Sequence, residues 1–164
     1  MHGQSRRYVH TRVGVGGRMD TIQCAVVLAK LERFEWELEQ RSRVAAAYDA
    51  LLSGKLGMVA RPRDRNSVFA QYTVVLEQRD QVQAALHAAG IPTAVHYPVP
   101  MHLQPAYAHW CSPEDAPVAM EMAAKVLSLP MGPYLGLDGV QEVASALLGA
   151  FGMNIPPSAR CVPA

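Results

Sequence analysis

The sequence predicts an α+β unit, a small sheet with helices packed against it, preceded by one long helical segment. Three observations predict it. An apolar stripe recurs at helical spacing through residues 20–53. Two runs rich in aromatic and β-branched residues, 69–76 and 91–97, read as strands. Residues 138–151 form an amphipathic helix with its own start signal. The chain divides into an arm or loop over 1–18, a long helical segment over 19–53, a small α+β domain over 54–151 and a tail over 152–164. The tail, with Pro156, Pro157 and Pro163, is expected to be disordered.

Taken in order, the arm is rich in Gly, Arg and His and lacks apolar periodicity. Asp20 is placed to cap the long helix, whose stripe is Val27, Leu31, Phe34, Leu38, Ala45, Tyr48 and Leu52. Such a helix would reach about 50 Å, too long for so small a domain to cover. Either it breaks near Glu37, or its first half packs against something outside the chain. After the 69–76 strand, Asp80 is expected to cap a short helix carrying Val82, Leu86 and Ala89 and closed by Gly90. The second strand, 91–97, halts at Pro98. Ser112, Pro113 and Asp115 open another helix, with Pro117 delaying its start and Ala119, Met122, Ala123 and Val126 on its apolar face. Residues 126–129 read as a third short strand. In the last helix Asp138 and Gln141 suggest a capping box, and Val140, Val143, Ala144, Leu147, Leu148 and Phe151 share one face.

Composition narrows the function classes. A hydrophobic fraction of 50% with 18% charged residues supports a folded domain rather than a disordered chain. The net charge of +1 gives no reason to expect a nucleic-acid partner. Cys24, Cys111 and Cys161 are scattered, which argues against a disulfide framework or zinc site and for a reducing, cytoplasmic setting. No apolar run of about 18 residues suggests a membrane span, and the first residues do not read as a signal peptide.

The densest chemistry lies in V-H-Y-P-V-P-M-H-L-Q-P-A-Y, from Val95 to Tyr107. It sets His96, Tyr97, His102, Gln104 and Tyr107 among prolines that stiffen the loop. The loop is either a ligand-binding wall or a rigid connector whose polar groups bond its own backbone. On a continuous strand His96 and Tyr97 would face opposite ways, so a shared site requires a turn at Pro98. His96, His102, His109 and Cys111 match no short metal signature. In the arm, Gly14, Gly16, Gly17 and Arg18 precede the helix start, an arrangement suited to a phosphate or carboxylate. An RNA-binding arm is the rival, without the aromatic platforms such arms use. The lysines, Lys30, Lys55 and Lys125, all read as solvated rather than as desolvated nucleophiles.

Residues 3–31, G-Q-S-R-R-Y-V-H-T-R-V-G-V-G-G-R-M-D-T-I-Q-C-A-V-V-L-A-K-L, resemble the middle of a DegT/StrS-type nucleotide-sugar aminotransferase. V-H-Y-P-V-P-M-H-L-Q-P-A-Y and V-L-S-L-P-M, ending at Met131, follow in the family's order. The resemblance is closest to enzymes that aminate the 3-keto group of a UDP-linked N-acetylhexosaminuronic acid for surface polysaccharide. It implies the small C-terminal domain of a fold-type I pyridoxal-phosphate aminotransferase, preceded by the interdomain helix. It also implies that the Schiff-base lysine lies in a larger N-terminal domain, so that this chain alone is inactive. A homodimer or an N-terminal domain partner would then complete the site, with a nucleotide sugar as substrate and glutamate as amino donor. By resemblance Arg18 faces the sugar, and His96 and Tyr97 line its pocket, with His102 beside them as a further substrate-binding residue. Gly16 occupies the position of a family Asn that reaches the cofactor phosphate, which removes one hydrogen bond worth about 1.5–3 kcal/mol. Gly132 stands where His is common in the family. The alternative function is a non-catalytic remnant or a dimerisation and interaction module of the same family.

Overall fold

The computed structural model of the protein describes residues 2–17 and 19–153. The expectations for Arg18 and for residues 154–164 of the tail fall outside them. Two strands, β1 (Gln4–Arg6) and β2 (Val9–His10), open the chain. Helices α1 (Thr21–Leu31) and α2 (Phe34–Leu52) follow, then β3 (Gly57–Met58), β4 (Tyr72–Val75) and α3 (Arg79–Ala88). Short 3-10 turns at Met101–Leu103 and Pro113–Asp115 lead to α4 (Pro117–Lys125), β5 (Val126–Leu129) and α5 (Gly136–Gly149).

The main sheet runs β3-β4-β5, antiparallel throughout, with Thr73 opposite Ser128 and Val74 opposite Leu127. Along β4 burial alternates, which turns Tyr72 and Val74 inward. They meet Val44, Tyr48, Leu51 and Leu52 of α2, Val82 and Leu86 of α3, and Val140, Ala144, Leu147 and Leu148 of α5 in one core. The α+β arrangement is therefore as the patterning predicts. The apolar face of α5 is buried as expected, and Phe151 packs partly buried against it.

The long helix is two helices. Asp20 does cap α1, accepting from the Gln23 N–H at 2.8 Å. The helix then stops at Glu32 and Arg33, where the Arg33 N–H turns back to Lys30 O at 3.1 Å. Arg33 has left helical geometry at φ −112° and ψ 7°, and α2 restarts beyond it. The break thus falls ahead of Glu37. Leu31 and Phe34 are exposed rather than buried, and no residue of α1 is buried. The buried stripe begins only at Val44.

Other expectations change locally. The 69–76 strand shrinks to β4, because Phe69 sits at φ +47°, outside strand geometry. The 91–97 strand reduces to a single antiparallel bridge between Ala94 and Ser128 on the outer edge of β5. Its start is taken away: the Ile91 N–H closes α3 onto Leu86 O at 2.9 Å, and Pro92 has no N–H to offer. Gly90, at φ +77°, ends α3 as expected. Asp80 lies inside the first turn of α3 rather than at its cap. Likewise α5 starts at Gly136, so Asp138 falls in its first turn and no side chain caps it. Among the described residues no helix is long and apolar enough to cross a membrane.

Candidate functional site

The arm is a small hairpin, β1 against β2, with Gln4 opposite His10. Its closing segment crosses its opening one closely. A Cβ on Gly3 would lie 1.7 Å from Arg12 O, and one on Gly14 would lie 2.3 Å from the His2 carbonyl carbon. Gly14 is therefore needed for chain crossing, a structural use that differs from anion approach. A Cβ on Gly16 would meet only the His2 imidazole, at 3.8 Å, and one on Gly17 would meet nothing.

The hairpin lies on the proline-rich loop. Gln104, 4% exposed, reaches from the loop into it. Its Oε1 accepts the His10 N–H at 2.9 Å, and its Nε2 donates to Tyr8 O at 3.0 Å and to Val99 O at 3.3 Å. The Ala106 N–H adds a bond to His10 O at 2.9 Å. Together these shape a hollow of about 520 Å³ whose walls include Tyr8, His10, Tyr97, Met101, Met122 and Val126. Tyr97 is 62% exposed and stands edge-on to Tyr8, centroids 5.8 Å apart.

His96 faces a different hollow, about 320 Å³, shared with Gln71, Thr93, Ser128, Pro130 and Met131. Its Nδ1 lies 3.3 Å from Ser128 Oγ, which lies 3.0 Å from Thr73 Oγ1. The sheet register, Thr73 opposite Ser128, brings those hydroxyls together. The rings of His96 and Tyr97 are nearly perpendicular at 5.6 Å, and the peptide joining them is cis. Because Tyr97 lines the first hollow and His96 the second, the pair forms a partition between them. His102 lines neither hollow; its Nε2 is buried and has no hydrogen-bond partner among the described residues.

Two contributors were not assigned from the sequence. Ser128 had a signal: it is the one polar residue in the buried strand V-L-S-L, and a buried hydroxyl requires a partner. Gln104 was visible as a polar loop residue, yet two of its three partners lie 94 and 96 residues away, beyond any local pattern.

The lysines behave as solvated groups. Lys125 Nζ bonds Glu121 at 2.9 Å and Glu77 at 2.8 Å, and these carboxylates hold its pKa above the ordinary lysine value. Lys55 Nζ donates to Leu51 O at 2.8 Å. No group of three or more His, Cys, Asp or Glu among the described residues is placed to hold a metal ion.

The DegT/DnrJ/EryC1/StrS aminotransferase family profile matches residues 1–148. A UDP-2-acetamido-2-deoxy-3-oxo-D-glucuronate aminotransferase of Pseudomonas aeruginosa is 48% identical over 147 residues, covering 89% of this chain and 40% of that protein. The crystal structure of a DegT DnrJ EryC1 StrS aminotransferase from Brucella abortus superposes with a TM-score of 0.77 at 38% identity, over 93% of this chain and 41% of that one. DesV of Streptomyces venezuelae, solved in complex with a ketimine intermediate, gives a TM-score of 0.75 at 34% identity, over 99% of this chain and 42% of that one. The chain spans about two fifths of the length of the curated relatives it matches.

Proposed function

This chain belongs to the DegT/DnrJ/EryC1/StrS aminotransferase family, and on that premise we propose that it supplies the sugar-facing wall of a pyridoxal-phosphate aminotransferase. The substrate in this reading is a UDP-linked 3-keto-N-acetylhexosaminuronate and the amino donor glutamate, in cytoplasmic synthesis of a surface polysaccharide. The likeness to the Pseudomonas aeruginosa enzyme supports the sugar. Substrate binding is assigned to His96 and Tyr97, each from its own hollow, together with Arg18 for the sugar's carboxylate and His102.

The observation that carries the reading is the His96–Tyr97 partition, fixed on one side by Ser128 and on the other by the docked hairpin. Fixed polar groups on a rigid scaffold bind with less ordering cost than mobile ones.

The described residues do not by themselves fit pyridoxal phosphate. Lys125 is tied to two carboxylates and Lys55 to a carbonyl, Lys30 is exposed on α1 and lines neither hollow, and Gly16 offers no side-chain donor to a phosphate. We therefore place the Schiff-base lysine in the part of the relatives' length that this chain does not span, with a homodimer or an N-terminal domain partner joining the halves.

The test is binding. UDP-N-acetylglucosaminuronic acid titrated into the chain is expected to shift the His96, Tyr97 and His102 side-chain resonances saturably. Shifts confined to other residues, or none up to millimolar ligand, overturn the assignment. Borohydride reduction with pyridoxal phosphate is expected to label no single lysine stoichiometrically.

A second reading, an association module, draws on α1 alone. Ile22, Val26, Leu28 and Leu31 are 78%, 53%, 67% and 52% exposed on an 11-residue helix. Sedimentation showing a monomer at high concentration would remove it.

A further inference from the structure

We propose that Gln104 is a positioning residue, a latch that holds the arm hairpin on the loop and thereby sets the Tyr97 ring. It rests on the reading above only where Tyr97 is given a substrate; the latch itself stands on geometry.

The amide is buried and fully used. One acceptor takes the His10 N–H, and two donors serve the carbonyls of Tyr8 and Val99. All three partners are backbone groups, two on the hairpin and one on the loop. Because Gln104 fixes Tyr8 O, it fixes the residue whose ring stands 5.8 Å from Tyr97 at 76°. Tyr8 sits at φ +63°, so its carbonyl and ring directions are tied to one uncommon backbone geometry. His10, held at both its N–H and its carbonyl, carries the order further, since its Nδ1 meets His2 O at 3.1 Å. The bonds of the Gln104 amide go to the hairpin and to the loop, so its work lies there.

Only a side chain with both a donor and an acceptor serves this place. Methionine has the length but neither function at useful strength. Glutamate keeps the acceptor for His10, but when ionised it confronts the Tyr8 and Val99 carbonyls without a proton to give. When protonated it regains one donor. Gln104→Glu therefore converts the latch into a pH-dependent one, an outcome that simple loss of packing would not produce. The titratable groups nearest residue 104 through its contacts are His10, His2 and Tyr8. They are common to the wild-type chain, whose profile is measured in parallel.

The experiment is amide hydrogen exchange with ring NMR on the full chain as wild type, Gln104→Met and Gln104→Glu. Protection factors at His10 and the Tyr97 ring shifts are followed from pH 4 to pH 8, with the Val74 and Leu127 amides as core references. In Gln104→Met the His10 protection is expected to fall at least about tenfold at every pH, with core amides unchanged. In Gln104→Glu it falls at pH 8, because repulsion from the Tyr8 and Val99 carbonyls drives the carboxylate away from the His10 N–H as well, and recovers as the pH drops through the carboxyl range. Tyr97 shifts should follow His10 in both variants. Retained His10 protection in both variants overturns the latch. Equal loss at Val74 and Leu127 also overturns it, by making Gln104 a general folding residue. No ligand is present, so failure here is distinct from failure of the sugar assignment, which the nucleotide-sugar titration reads separately.

Discussion

His96 Nδ1 rests 3.3 Å from Ser128 Oγ, so the imidazole of the loop is anchored to β5, on the side of the main sheet where Ala94 bridges Ser128. Ser128 is 5% exposed and its hydroxyl also meets Thr73. Ser128→Ala is expected to cost about 1–2 kcal/mol, since a buried partner is lost on two sides. Thermal unfolding measures that cost. Nitrogen NMR of His96 should show the ring exchanging between tautomers and orientations, and an unchanged ring would count against the anchor.

Alkaline stability tests the core. Tyr48 is fully buried and donates to Pro130 O at 2.9 Å, while Tyr72 donates to Asp49, which also pairs with Arg61. Burial pushes both phenols well above the ordinary value of 10.0, and for Tyr72 the adjoining Asp49 carboxylate adds to the rise. A folded-state pKa above the unfolded one means the folded chain holds its protons longer. The stability contributed is complete below pH 10 and is lost as pH climbs beyond it. Absorbance at tyrosinate wavelengths should therefore show these two rings ionising only together with unfolding. Their titration in a chain that stays folded near the ordinary value would contradict the packing.

Tyr48→Phe isolates one bond. The ring remains stacked on Tyr72 at 4.6 Å, but Pro130 O loses its donor. A loss of about 1 kcal/mol is expected in denaturant unfolding. A value near zero would mean that water replaces the phenol.

Substitutions on α1 should separate association from folding. Leu28→Glu lies on a helix with no buried residue, so unfolding free energy should change by no more than about 0.5 kcal/mol. Any self-association measured by sedimentation should weaken. A large stability loss with association unchanged would show that α1 packs on its own chain.

The arm glycines divide sharply. Gly3→Ala places a Cβ 1.7 Å from Arg12 O at a residue with φ +72°, and is expected to undock the hairpin and expose it to proteolysis. Gly17→Ala meets nothing within 4 Å and should leave the digestion pattern unchanged. Similar digestion of both variants would argue against the crossing.

Much of this was legible in the chain. Local chemistry was read in part: Asp20 caps its helix, Gly90 ends another and Pro117 delays α4 to its own position, whereas Asp80 and Asp138 fall inside first turns because α3 and α5 start earlier than their acids suggested. Where a group served a distant partner, the reading failed. The Ile91 N–H went to the end of α3, so the expected second strand kept one bridge. The hairpin strands hold three and two residues, too few for a period to register. Helical spacing through residues 27–34 implied burial, but spacing cannot say which partner covers a face, and α1 has none among the described residues. At the site, His96 and Tyr97 stood out by residue type; that they line separate hollows depends on how loop, sheet and arm meet.

Gln104 grips only main-chain atoms, and every residue but proline offers the same main-chain donor and acceptor. Substitution of the side chains at positions 8, 10 and 99 therefore leaves the three bonds of the fastening their partners, while substitution at position 104 removes them. The hairpin can change its outward face and stay attached, because the attachment is written in a single letter elsewhere in the chain.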